Sequence, residues 1–86
     1  MKIKNGYILK NIAGSFVVIS FDSTETESRL ITLNEVGAFL WKRLETETTA
    51  EQLLTALLSE YAIDEMTAKT DISMFLDKCR KIGVLE

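Results

Sequence analysis

At Asn34 the hydrophobic pattern of this chain changes its period. Upstream, apolar residues gather in short runs rich in β-branched and aromatic side chains; downstream they recur at the three-and-four spacing of helices. The junction reads Arg29-Leu30-Ile31-Thr32-Leu33-Asn34-Glu35-Val36-Gly37, a short strand running straight into a capped helix. A chain that places its strands first and its helices afterwards is directed toward α+β architectures, with helices packed on one face of a small antiparallel sheet.

The upstream half supplies three strand candidates. Tyr7 to Ile12 is rich in β-formers, and the Ala13-Gly14 pair after it suits a tight turn because glycine tolerates positive φ. Ser15 to Phe21 brings Phe16, Val17, Val18, Ile19 and Phe21 together, so both faces of this strand are expected to be at least partly covered. The two runs read as a hairpin. Asp22 to Ser28 is wholly polar with three acids, and reads as a solvated connector rather than an acidic binding surface. The third strand runs from Arg29 to Leu33; alternation places Ile31 and Leu33 toward the core and Leu30 and Thr32 on the other face.

Three helices follow. Asn34 is a good N-cap, and Val36, Phe39, Leu40 and Leu44 recur at helical spacing behind it, with Trp41 on the border of that stripe. The helix is expected to stop within Glu45-Thr46-Glu47. Thr48-Thr49-Ala50-Glu51 has the form of a capping box, with Thr48 at the cap and the Glu51 carboxylate three residues on. Leu53, Leu54, Leu57, Leu58 and Tyr61 stripe the second helix. Asp64 caps the third, in which Ala68, Ile72, Phe75, Leu76, Cys79 and Ile82 share a face, and Gly83 ends it. The expected order is β-β-β-α-α-α, with no internal repeat, and residues 1–86 are expected to form a single domain.

Composition limits the chemistry. The 86 residues are 47% hydrophobic, with four glycines and no proline, enough for a modest core without disulfides or metal. A single cysteine forms no internal disulfide, which fits a reducing cytosol. No apolar run approaches the roughly 20 residues of a membrane span. The basic start Met1-Lys2-Ile3-Lys4-Asn5 lacks the apolar core and cleavage site of a signal peptide, so the expected address is the cytoplasm. There is no histidine, which removes the commonest acid/base and metal ligand. Cys79 lies in phase with the core face of the third helix and reads as a buried, inert thiol, even with Lys78, Arg80 and Lys81 close in sequence. Without a phosphate-binding glycine loop, paired-carboxylate spacing or metal motif, the chain reads as non-catalytic.

Two features invite a binding role. Residues 49–82 have a helix-turn-helix look, but the net charge is −3 and the third helix sets four acids against Lys69, Lys78, Arg80 and Lys81. Its cations cluster at the C-terminal end, where they complement the helix dipole, so a DNA-binding winged-helix regulator stands only as an alternative. The other feature is the third strand. In a sheet that follows chain order it is an edge: an ordinary one, the commoner case, or a template for an incoming peptide strand or for a second copy of the chain.

The segment Leu33-Asn34-Glu35-Val36-Gly37-Ala38, followed by Leu40-Trp41, resembles the Leu-Asn-x-x-Gly-Ala pattern of the PqqD-like family, small peptide-binding domains also called RiPP recognition elements. Thr48-Thr49-Ala50-Glu51-Gln52-Leu53, Glu60-Tyr61, Asp71-Ile72 with Phe75-Leu76, and Gly83-Val84-Leu85 continue the resemblance over nearly the whole chain. It implies a winged-helix-like domain that binds the leader of a ribosomally made precursor peptide and presents it to a modifying enzyme, often a radical SAM protein. The leader would add as an antiparallel strand beside Arg29, Leu30, Ile31, Thr32 and Leu33. Asp71, Phe75, Lys78 and Ile82 form the helix margin favoured for contact, since Lys78 offers a cation to leaders that are often acidic; Leu76 and Arg80 lie toward the other margin. For Phe75 and Ile82, core packing is an equal alternative. The resemblance implies no bound cofactor; the acidic charge and the lack of a long apolar run set the expectation of no nucleic acid and no membrane, and the chain is expected to be a monomer or weak homodimer. The quinone in the family name is not carried over.

Overall fold

The computed structural model describes residues 1–20 and 30–86, with Leu30 described by its backbone. Expectations that fall on Phe21, on residues 22–28 and on Arg29 lie outside the described residues. Six elements follow one another: β1 (Tyr7–Ile12), β2 (Ser15–Ser20), β3 (Leu30–Leu33), α1 (Glu35–Leu44), α2 (Ala50–Glu60) and α3 (Glu65–Ile82). The strands form one antiparallel sheet in the order β1-β2-β3. The fold is thus α+β in the expected order, and β3 is an edge.

The hairpin sets the orientation of that edge. Ala13 and Gly14 adopt φ of 52° and 82°, the paired positive values of a two-residue type I′ turn, and the Asn11 carboxamide oxygen accepts from the Gly14 amide at 3.2 Å. Such a turn closes on a hydrogen-bonded pair, here Ile12 and Ser15. Alternation along β2 then points the backbone groups of Phe16 and Val18 at β3. Their partners Leu33 and Ile31 point back, which leaves the N–H and C=O groups of Leu30 and Thr32 aimed at the free edge.

Register also sorts the faces. Val18 is fully buried, with Leu9 and Ile31 opposite it on the helix-facing side. Ile8, Lys10 and Ile12 occupy the other face beside Ile19, Val17 and Ser15. Burial of β2 on both sides, as expected, is partial: Phe16, Val17, Ile19 and Ser20 are all half-buried.

The buried side chains form one cluster dominated by the helices. Trp41 belongs to its centre at 1% exposure, which corrects its expected place on the border of the α1 stripe. The sheet covers a wider arc of α1 than the helical phase implied, and the Tyr7 ring meets the indole edge-on at 6.1 Å. Val36 and Phe39 move to the margins instead. Phe39 meets Tyr61 edge-on at 5.6 Å and carries the Arg43 guanidinium over its ring at 5.2 Å.

The second correction concerns the start of α2. The N-cap is Thr49, one residue later than expected: its hydroxyl accepts from the Gln52 amide at 3.1 Å, and the Gln52 side-chain oxygen accepts from the Thr49 amide at 3.2 Å. Glu51 takes no part in the box. Thr48 is buried, with its amide on the Met1 carbonyl at 3.0 Å and its hydroxyl donating to Gln52 at 3.1 Å. The other caps stand as expected. Asp64 accepts from Thr67 at 3.0 Å, and Gly83 turns left-handed at φ 77° with Val84 donating back to the Cys79 carbonyl at 3.1 Å, a Schellman ending.

One tie was not expected at all. Ile3 and Leu85 form an antiparallel bridge, flanked by bonds from Lys4 to Val84 at 2.7 Å and from Glu86 to Lys2 at 2.9 Å. The Ile3 amide reaches the Leu44 carbonyl at 2.8 Å, so this strap seals the end of α1 with buried Ile3 and Val84.

Candidate functional site

The chain passes from β3 into α1 with no intervening loop, so the edge strand and the first turn of α1 form one continuous wall. The Asn34 carboxamide fixes that corner by accepting from the Gly37 amide at 2.7 Å. A Cβ on Gly37 would lie 3.0 Å from the same carboxamide oxygen and 3.4 Å from the Phe75 ring. Glycine therefore spares the capping carboxamide, while the Phe75 ring of α3 would meet an added Cβ at ordinary contact distance.

Between this wall and α3 lies a cleft of about 380 Å³. Thr32, Leu33, Asn34 and Val36 line one side, Asp71, Met74, Phe75 and Lys78 the other, with buried Gly37 and Leu40 at its base. An adjoining trough of about 400 Å³ shares Met74 and Lys78 and runs on to Asp77, Lys81 and Ile82. Together they make a groove along one side of α3. Its lining is mixed in character, with apolar leucine, valine, methionine and phenylalanine between Asp71 and Lys78. Among the described residues neither Asp71 nor Lys78 is held in an ion pair, whereas Lys69 pairs with Glu65 at 3.8 Å and Arg80 with Asp77 at 3.4 Å.

Of the residues singled out from the sequence, the structure brings Thr32, Leu33, Asp71, Phe75 and Lys78 together in this cleft. Ile31 sits beside them but turns its half-buried side chain to the core. Leu30 contributes backbone at the edge. Ile82 lies in the adjoining trough and also packs against the core, and Arg29 is outside the described residues. Leu76 and Arg80 line a groove on the α2 side of the helix. Sequence reasoning missed Asn34, Val36, Gly37, Leu40 and Met74 as lining residues. Met74 carried a usable signal: a large apolar residue, 66% exposed, three positions from Asp71 and four from Lys78 on the same helix face.

Burial pushes the Cys79 thiol up to about 11 against the opposing pull of Lys78 and Arg80, so it stays protonated and unreactive at neutral pH. Among the described residues no group of three His, Cys, Asp or Glu side chains gathers to hold a metal, and no helix is long and apolar enough to cross a membrane.

Fold and groove define a class: a small α+β domain whose open strand edge stands over a helix-walled cleft. The family model described as Coenzyme PQQ synthesis protein D (PqqD) matches residues 8–85, and the chain belongs to that family. Two solved structures are similar. One is TbiB1 in complex with the TbiA(beta) leader peptide, 26% identical with a TM-score of 0.78, the alignment covering 100% of this chain and 95% of that one. The other is a lasso peptide synthetase B1 complexed with the leader peptide, 19% identical with a TM-score of 0.72 over 96% and 93% of the two chains; at that identity the likeness concerns the fold. No curated protein matches the chain.

Proposed function

We propose that the chain is a non-catalytic adaptor that binds the leader of a ribosomally made precursor peptide and presents it to a modifying enzyme, such as a radical SAM protein, in the cytoplasm. The observation that carries this reading is the open edge of β3 standing over the cleft against α3. The leader enters as a fourth, antiparallel strand. It exchanges hydrogen bonds with the outward N–H and C=O groups of Leu30 and Thr32, a contact that tolerates many sequences. Leader residues opposite Ile31 and Leu33 turn their side chains inward, into the cleft walled by Val36, Met74 and Phe75. Selectivity therefore falls on every second leader residue. Asp71 and Lys78 flank these positions with opposite charges. Membership of the family, and the 26% identical neighbour solved with a leader peptide, support the same reading.

The energetics suit a carrier. Ordering a flexible leader costs about 2–5 kcal/mol of the gross interaction, so a net affinity near micromolar, about −8 kcal/mol, is expected. That allows the peptide to leave after processing.

The test is an NMR titration of the labelled chain with the leader of the precursor encoded beside it. Amide shifts are expected at residues 30–34 and 71–78. Shifts concentrated on α2, with β3 silent, would remove the strand-addition mechanism.

A further inference from the structure

The face of the sheet turned away from the helices carries apolar side chains that the described chain leaves open. Ile8 and Ile12 are 42% and 50% exposed. Cross-strand register sets Ile19 beside Ile8, Val17 beside Lys10, and Thr32 beside Val17 at the β3 edge. Val17 and Ile19, although half-buried, stand outside the core cluster. An antiparallel sheet with one solvated face ordinarily alternates apolar in and polar out; this one is apolar on both sides. Among the described residues of the outer face, Lys10 is the charged side chain, and it sits between the two exposed isoleucines on β1.

Area decides what can cover such a face. β1 and β2, six residues each, are roughly 20 Å long and the four-residue β3 is roughly 13 Å, so at about 4.8 Å spacing the face is about 250 Å². A stable pair of proteins buries about 800 Å² on each partner. The face is therefore too small to hold a second copy of this chain firmly, and it suits a transient partner. It is also open at one side. A leader strand bonded to Leu30 and Thr32 widens it by about a third, and leader side chains in register with Thr32 join the same face.

We infer that this outer face is where the peptide-modifying enzyme docks, and that the enzyme meets a composite surface of the sheet and the bound leader strand. The inference rests on the leader-binding reading above. The matching enzyme surface is apolar, with an acidic group placed to meet Lys10. Because loading enlarges the face, the enzyme binds the loaded chain more tightly than the empty one. By reciprocity it strengthens leader binding by the same factor.

The experiment uses the purified chain, a synthetic leader of the precursor encoded beside it, and the purified modifying enzyme from the same gene neighbourhood. Enzyme affinity is measured for the empty and the leader-loaded chain, and leader affinity is measured alone. Loading is expected to tighten enzyme binding at least tenfold. Ile12→Asp and Lys10→Glu are each expected to undo that gain tenfold or more, while leader affinity stays within twofold and the unfolding midpoint is unchanged. Equal enzyme affinity for wild type and both variants overturns the inference, as does equal affinity for loaded and empty chain. Self-association abolished by Ile12→Asp, seen by sedimentation, assigns the face to a second copy and also overturns it. A wild-type chain that binds no leader overturns the underlying reading too, and the leader titration alone reveals that case.

Discussion

The helical layer and the sheet differ sharply in how completely they are buried. Leu40, Trp41, Leu44, Leu53 and Leu57 are all at or below 1% exposure, whereas among the described strand residues only Val18 reaches that level, and β1 leaves two isoleucines in water. The helices enclose the core from several directions; the sheet leans on it with one face. Stability therefore resides in helix packing. Among the described residues, the sheet keeps an edge and a face uncovered.

The strongest way to break this comparison is Trp41→Ala. Removing a fully buried indole costs about 3–5 kcal/mol, a large part of the about 5–15 kcal/mol that holds a small domain together. Urea unfolding measures it, and a loss below about 1 kcal/mol would mean that the core is not centred on the helices. Alkaline titration probes the same layer. The buried Cys79 thiol has its pKa raised from 9.0 to about 11, so the folded state holds its proton more tightly than the unfolded state. Its contribution is fully present below pH 9 and is lost as pH rises through 11, by about 3 kcal/mol at most. Unfolding of Cys79→Ala, measured in parallel, is expected to lack that extra slope.

On the sheet the expected effects are smaller and of another kind. Thr32→Pro deletes an outward amide at an edge position where proline is tolerated. The loss of one net hydrogen bond, about 1 kcal/mol, lowers leader affinity roughly fivefold, read by calorimetry, while the circular dichroism of the free chain is unchanged. Ile12→Thr on the outer face is expected to shift stability by no more than about 0.5 kcal/mol, as a thermal melt will show. A larger loss would move that residue into the structural half of the comparison.

Local signals were readable in the sequence because their physics is local. Asn34, Asp64 and Gly83 each satisfy backbone groups within one helical turn, and their residue types announce it. The start of α2 was ambiguous because Thr48 and Thr49 both offer hydroxyls and both Glu51 and Gln52 can close a box. The choice falls to Thr49 because the Thr48 amide is taken by Met1, a partner 47 positions away. Trp41 was misplaced for a related reason: helical phase reports where a residue points, and Tyr7 on β1 decides how far coverage extends. In the cleft, α3's margin was legible from its own periodicity, which set Asp71, Phe75 and Lys78 apart from Leu76 and Arg80. Val36 on the facing side, and Gly37 and Leu40 at the base, were not, because they come from a helix some forty residues earlier.

The bridge between Ile3 and Leu85 joins residues that have nearly the whole chain between them. The entropy of closing a loop grows with its length, so this contact is the costliest one to form early, and it is expected to form after the hairpin and helices have docked. Contacts that are absent from the folding transition state govern how fast the native state opens. Trimming Ile3 or Val84 to alanine is thus expected to raise the unfolding rate in stopped-flow experiments and leave the folding rate nearly untouched. The two ends of the chain act as a latch: they set the lifetime of the folded molecule, and have little influence on how quickly it is reached.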